Sequence, residues 1–540
     1  MFRLPALAAP AAATVATQAT LDLPAARLDG WVGLSAVALL TAGIVVAELH
    51  GADEVPKVPA APLPREDRWL LAALLLFGGV AVVSLRAAVG VAANELQLFP
   101  EAGLAWWRLP FVDVGLPSLV HGWLTAIASG VGGVALITVA HVLLYGALVG
   151  LWLRAAREVA GPRTAWAVTA ALAASPTLLY QVTELRSYVT FLTCCGVALL
   201  ALTRRPARVD LAALALVVGA LDAPSCLLLL AGVFVARLLA LPLPQPGRLL
   251  WGGMREGPPE DRWWRAGLAL AIGLLPWLLV VRGMHTEAGD LGVLGAPALA
   301  PGLLLGALAL LAQRRGRPAF AAAGACGLVG GVGLMLGGGL ASEPQYLLFV
   351  APFLAVAIAA WTRGEGQFAL PDAPVALGIA GAAAGAWTAA VLLPGAASGA
   401  WLWCAGAAGG ALIGAAWPSA PPLVPVLVLL VASGGAVRAR VGWEQEERAA
   451  REAALALAKE EAAGSAICAP EAHVAAWLRA AELSAARVDL WSPLRAAEAE
   501  PPLQEGCEGA AVVVVSRPER LPPGCARVFE AGWQIGRCAR

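Results

Sequence analysis

The feature that most constrains this chain is an apolar run of bilayer-crossing length, repeated from near its start until about a hundred residues before its end. A helix needs about 20 apolar residues to cross roughly 30 Å of hydrocarbon. Stretches near that length occupy residues 31–48, 69–89, 126–153, 164–182, 188–203, 211–221, 224–240, 266–281, 296–311, 318–336, 346–362, 373–393, 398–417 and 423–437. That makes about fourteen candidate spans, of which 211–221 is too short to cross without borrowing neighbours. Gly, Ala and Pro within them permit close helix approach and local kinks. The expected fold is an all-α polytopic membrane bundle with a small C-terminal α/β domain.

Composition agrees. Of the 540 residues 59% are hydrophobic and only 14% charged, and the mean hydropathy is +0.74. A soluble domain carries about 25% charged residues. The 37 basic and 37 acidic residues cancel, so no overall field draws the chain to nucleic acid. The information lies in where the charges sit.

Arginines set the expected orientation. They gather as Arg65 and Arg68; Arg154, Arg157 and Arg163; Arg204, Arg205 and Arg208; Arg248, Arg255, Arg262 and Arg265; Arg314, Arg315 and Arg317; and Arg363. With the spans above, all these loops fall on one side, which the positive-inside rule makes cytoplasmic. The opposite face then collects Glu95, Glu101, Asp113, His121, Glu184, Arg186, Asp222 and Glu343 among others. The expected location is an integral, multi-pass protein of a bacterial inner or plasma membrane. Residues 1–30, Ala-rich and without a clean basic start before a Leu-rich core, read as a disordered tail. Residues 31–437 form the transmembrane domain and 438–540 an extracytoplasmic one.

Two segments on the outer face could carry chemistry. The loop 90–125 mixes Asn94-Glu95 with Phe99, Trp106, Trp107, Phe111 and Trp123, broken by Pro100, Pro110 and Pro117. Such a mixture suits short interfacial helices that hold an acidic group beside lipid headgroups, or equally a plain aromatic belt. The second is the turn from Ser175 to Tyr188, where Glu184 and Arg186 stand two residues apart at a membrane boundary. Charges there are costly unless paired or wet. Arg is the side chain best shaped to clasp a phosphate, although a structural ion pair fits the same residues.

The ordered set of these residues resembles the GT-C superfamily of membrane glycosyltransferases, the protein mannosyltransferase and aminoarabinose transferase group. Arg86 followed by Asn94-Glu95 resembles an arginine late in the first core helix followed by an acidic pair. Leu116-Pro117-Ser118-Leu119 resembles a Pro-containing loop before the next helix. Ser175, Pro176, Tyr180, Glu184, Arg186 and Tyr188 match a Ser-Pro…Tyr…Glu-x-Arg-x-Tyr run, and Gln345-Tyr346 with Pro352 resembles a later Arg-Tyr helix start. The resemblance covers residues 86–352 and departs from the family at two places. Asn94 stands where Asp is usual, and Gln345 where Arg often is.

The resemblance implies transfer of a sugar from a polyprenyl-phosphate donor at the extracytoplasmic face. The acceptor is a glycan, lipid or protein that the residues do not identify. Glu95 would be the catalytic base, with Glu101 and Asp113 the alternative carboxylates. Arg186 would hold the donor phosphate. Asn94, Glu184, Tyr188, Arg86 and Tyr346 would support them. No cofactor is dictated; a divalent metal stays open, because Glu184 either orients Arg186 or holds an ion, and no His/carboxylate spacing decides. Partners are the lipid-linked donor, the acceptor and membrane lipid, with no nucleic acid. Two other readings fit parts of the pattern. Asn94 and Gln345 suit a non-catalytic relative serving as a binding or scaffold subunit, and many helices suit a transporter or flippase.

After residue 437 the sequence turns polar. Residues 443–461 read as a charged helix, 465–469 as a strand, 472–483 as an amphipathic helix, 510–516 as a buried strand and 527–535 as a last strand. Cys468, Cys507, Cys525 and Cys538 show no CxxC spacing, and outside the cytoplasm at least two of them are expected to be oxidised.

Overall fold

The computed structural model describes residues 62–89, 119–184, 187–204, 207–220, 222–223, 225–240, 262–268, 323–331, 347–362, 408, 423–462, 467–468, 512–515, 525–531 and 533–538. The helices are α1 (Arg65–Val89), α2 (Leu119–Val159), α3 (Pro162–Ala173), α4 (Pro176–Thr183), α5 (Tyr188–Thr203), α6 (Val209–Ala220), α7 (Cys226–Ala240), α8 (Leu347–Thr362) and α9 (Leu423–Ala462). Residues 262–268 and 323–331 are also helical. The strands are β1 (Ile467–Cys468), β2 (Val512–Val515), β3 (Cys525–Ala531) and β4 (Trp533–Cys538).

Among the described residues two helices are long and apolar enough to cross a membrane, Arg65–Ala88 and Ala135–Val159, and five apolar helices are shorter. Their surfaces explain the composition. In α1, Trp69, Leu76, Val80 and Val83 are exposed on one face, while Leu70, Leu74, Ala81 and Leu85 are buried on the other. Leu136, Val139 and Leu143 of α2 form a similar exposed row, as do Leu423, Leu427 and Val431 of α9. Rows of large apolar side chains at helical spacing are what lipid-facing surfaces need and what water-facing ones avoid.

Three sequence expectations change in form. The single stretch 164–182 is two helices, α3 and α4, because Pro176 at the first position of α4 has no N–H to continue the preceding ladder. The last span and the charged helix are one helix, α9, since Arg438 to Gly442 contains no proline and mostly good helix formers. The last strand is a hairpin: β3 and β4 run antiparallel, and the chain reverses between the paired Ala531 and Trp533. The spans 31–48, 296–311 and 373–393 lie outside the described residues, as do nearly all of 398–417 and most of 266–281 and 318–336. The helix 472–483 and Cys507 lie outside them too.

The chain divides into two compact units. The first comprises Met1–Gly78, Leu143–Leu179 and Ser187–Ser433. Within it α5 packs on α6, α6 on α7, and α8 on both α3 and α5. Without a hydrophobic driving force between helices in lipid, close packing has to hold them. Gly232 of α7 illustrates it: a Cβ there would lie 2.6 Å from the Cα of Cys326 and 2.7 Å from the carbonyl oxygen of Ala325. The backbones touch. A polar clamp joins α1, α2 and α3, where the buried Asp67 carboxylate accepts from Trp166 Nε1 at 2.7 Å and pairs with Arg157 Nε at 2.8 Å. Tyr145 Oη donates to the Ala173 carbonyl at 2.9 Å.

The second unit comprises Gly79–Val142, Tyr180–Arg186 and Gly434–Arg540. Its sheet has the order β1-β2-β4-β3, with β1 parallel to β2 and the other pairs antiparallel. All four valines of β2 are buried, as a central strand covered on both faces requires. Cys525 is disulfide-bonded, and the residue opposite it across the β3–β4 ladder is Cys538. Oxidation of this tail was expected.

Candidate functional site

Of the residues singled out on sequence, Arg86, Glu184 and Tyr188 are described. Asn94, Glu95, Glu101, Asp113, Arg186, Gln345 and Tyr346 lie outside the described residues. Within the second unit, Arg86 and Glu184 come to the same place, the last turn of α4.

That turn is short for a physical reason. Proline starts α4 and its ladder closes with the Glu184 N–H donating to the Tyr180 carbonyl at 2.9 Å. The carbonyls of the final turn need donors, and the helix dipole makes this end negative. Arg86, in the last turn of α1, supplies one: its Nη1 donates to the Thr183 carbonyl at 3.3 Å. A cation at a helix C-terminus is thereby stabilised twice, by a hydrogen bond and by the dipole.

Tyr180 lies three residues before Thr183, on the same face of the turn. Its hydroxyl donates to the Glu184 carboxylate. Over its ring lies the guanidinium of Arg440, 4.4 Å from Cζ to centroid, a cation–π arrangement. Arg440 Nη2 is also 2.7 Å from Oε1 of Glu444. Glu444 is 3% exposed and Arg440 39%, so the pair has one dry partner and one that water or a ligand can reach. Two turns further along α9, Arg448 Nη1 donates to the Ala87 carbonyl at 3.2 Å, next to Arg86, while its Nε pairs with Glu452 at 2.7 Å.

The result is one helix end where guanidinium and carboxylate groups alternate: Arg86, Glu184, Arg440 and Glu444. Such a set can hold an anion through the arginines and accept a proton or orient a donor through the carboxylate. Among the described residues no group of three His, Cys, Asp or Glu side chains could hold a metal ion. In the first unit, Tyr188 is buried as the first residue of α5, its ring centroid 5.2 Å from that of Phe191, which in turn stacks edge-on to Phe349 of α8 at 6.1 Å. Pro352 sits inside α8.

Sequence reasoning missed Arg440 and Glu444 as site residues. The signal was present: Arg438 and Arg440 directly follow an apolar span, and Arg440 and Glu444 are four apart on a helix. Glu444 reads as part of a charged helix over 443–461 and Arg440 falls between that helix and the last apolar span, so neither suggests a link to Tyr180.

No protein-family model matches the chain, and no curated protein does. Among solved structures the chain is similar to the crystal structure of ArnT from Cupriavidus metallidurans bound to undecaprenyl phosphate. The identity is 17% and the TM-score 0.48, over 86% of this chain and 98% of that one. It is also similar to the cryo-EM structure of the arabinosyltransferase EmbB from Mycobacterium smegmatis. There the identity is 15% and the TM-score 0.45, over 76% of this chain and 45% of that one.

Proposed function

We propose that the chain is a multi-pass membrane glycosyltransferase of GT-C type. It moves a sugar from a polyprenyl-phosphate donor to an acceptor hydroxyl at the extracytoplasmic face of a bacterial inner or plasma membrane. The proposed architecture is a bundle of about fourteen spans over residues 31–437 after a tail of 1–30, with a small α/β domain at 438–540. The oxidised Cys525 supports an extracytoplasmic tail, because disulfides persist in that compartment.

The observation that carries the reading is the gathering of Arg86, Glu184 and Tyr180 at the last turn of α4. These are three residues of the ordered motif set, brought together from two distant stretches of sequence. In the proposed reaction Glu95 takes the proton of the acceptor hydroxyl as its oxygen attacks the anomeric carbon. The bond from that carbon to the lipid phosphate breaks, and Arg186 holds the phosphate as its charge develops. Glu184 orients Arg186, with Arg86 fixing the turn that carries both. Asn94, Tyr188 and Tyr346 are supporting residues.

Glu95→Gln keeps shape and removes the charge, so transfer from a polyprenyl-phosphate sugar should fall by about 10²–10⁴ with folding unchanged. Unchanged transfer would move the base to Glu101 or Asp113. If none of the three carboxylates matters, the non-catalytic reading, which Asn94 and Gln345 favour, replaces this one.

A further inference from the structure

We infer that Cys525 and Cys538 are joined as a cross-strand disulfide, and that this bond is a redox-sensitive latch holding β4 in the middle of its sheet. The bond stands or falls apart from the glycosyltransferase reading.

Backbone register names the partner. Cys525 is disulfide-bonded, and the residue directly opposite it across the β3–β4 ladder is Cys538. Opposed residues of an antiparallel pair have Cα atoms about 4.5–5.5 Å apart, inside the range of about 4.4–6.8 Å that a disulfide spans. Cys468 is in β1, at the other edge of the order β1-β2-β4-β3. Three strand spacings put it about 14 Å from β3, twice the reach of the bond. Cys194, Cys195, Cys226 and Cys326 are free thiols and belong to the first unit. Cys507 lies outside the described residues, and the experiment below separates it.

The same register shows what the bond holds. β4 carries a ladder on each side, to β2 and to β3, and its buried Ile535 is paired with both Val514 and Phe529. One end of the β3–β4 hairpin is closed, because the chain reverses between Ala531 and Trp533. At the open end the pairs Cys525–Cys538, Ala526–Arg537 and Arg527–Gly536 lie beyond a register shift between Arg527 and Phe529. Such an irregularity disrupts the ladder, so these pairs gain little support from the closed end. Arg537 is also the partner of Val512 in β2, so fraying there loosens both ladders of β4. A bond between residues 525 and 538 closes a loop of about 14 residues and blocks that opening.

Forming the bond joins two thiol sulfurs and releases two protons and two electrons. A protein or small-molecule disulfide takes these up by exchange and leaves as two thiols. The reverse step needs a dithiol, and the site is open to one: β3 is an edge strand, and Ala526 and Arg527 beside Cys525 are exposed.

The test uses the full chain in mild detergent. With free thiols blocked first, tryptic digestion without reductant should yield peptide 521–527 linked to peptide 538–540, and dithiothreitol should separate them. Peptide 521–527 linked instead to a peptide carrying Cys468 or Cys507, or found unlinked, overturns the pairing. Amide exchange over residues 533–537 of the folded chain should quicken on the order of 100-fold when dithiothreitol is added, as expected for opening a loop of about 14 residues. The double variant Cys525→Ala with Cys538→Ala should exchange at the reduced wild-type rate and ignore dithiothreitol, which sets this bond apart from any other in the chain. If that variant does not fold, the wild-type comparison carries the test. Exchange in β4 that stays within about twofold on reduction overturns the latch.

Discussion

Replacing Asp67 by alanine should destabilise the first unit by an amount that can be assembled from its surroundings. Asp67 is 1% exposed and makes two polar interactions, one with a buried donor and one with a partly wet cation. Trp166, 8% exposed, would be left with an indole N–H facing no acceptor, which costs about 1–3 kcal/mol. Arg157 is 26% exposed and can turn toward water, so its loss is well below the 3–5 kcal/mol of a fully buried broken pair, about 1 kcal/mol. The expected total is about 2–4 kcal/mol. Asp67→Asn keeps an acceptor for the indole and removes the charge, so it should cost about 1–2 kcal/mol. Denaturant unfolding of the purified chain in mild detergent measures both. A cycle with Arg157→Ala should return a coupling of about 1 kcal/mol. The reasoning fails if alanine and asparagine destabilise equally, since the buried indole donor would then contribute nothing.

Gly232→Ala should push α7 away from residues 325–326, because the new methyl meets backbone atoms that have no rotamer to yield; a loss of about 1–3 kcal/mol or more in the same unfolding assay is expected. Cys525→Ser should expose one additional reactive thiol under non-reducing conditions and weaken the β3–β4 hairpin by about 2–4 kcal/mol, whereas a thiol count lower by one would show that Cys525 is reduced. A reporter active only in the cytoplasm, fused after Ala462, should stay silent, and activity there would reject the proposed side for the tail.

Much of the helical layout was legible because lipid leaves few choices. A chain of apolar runs can satisfy its backbone in a bilayer only by helices, so α1, α5, α7 and α8 begin and end within a few residues of the apolar boundaries. Less legible were the joins. Hydropathy reports residence in lipid, not continuity, so it divided α9 where Arg438 begins and fused α3 with α4 across Pro176. At the site, the pairing of Arg86 with Thr183, residues 97 apart, could be anticipated only from the order of motifs. The stacking of Arg440 on Tyr180 could not, because cation–π contact depends on where two faces meet in space, and no spacing within α9 encodes Tyr180.

The continuity of α9 has a consequence for how this chain can change length. Along 40 unbroken helical residues, position is also angle: each inserted residue advances everything after it by about 100° and 1.5 Å. One residue added between Val437 and Arg440 would swing Arg440, Glu444 and Arg448 off Tyr180 and Ala87 together. A surface loop could absorb the same insertion at little cost. Seven added residues come within about 20° of the original phase but shift the stripe by two turns, so not even that length restores the contacts. This segment behaves as a combination lock, tolerant of many substitutions on its outer faces and of almost no change in count.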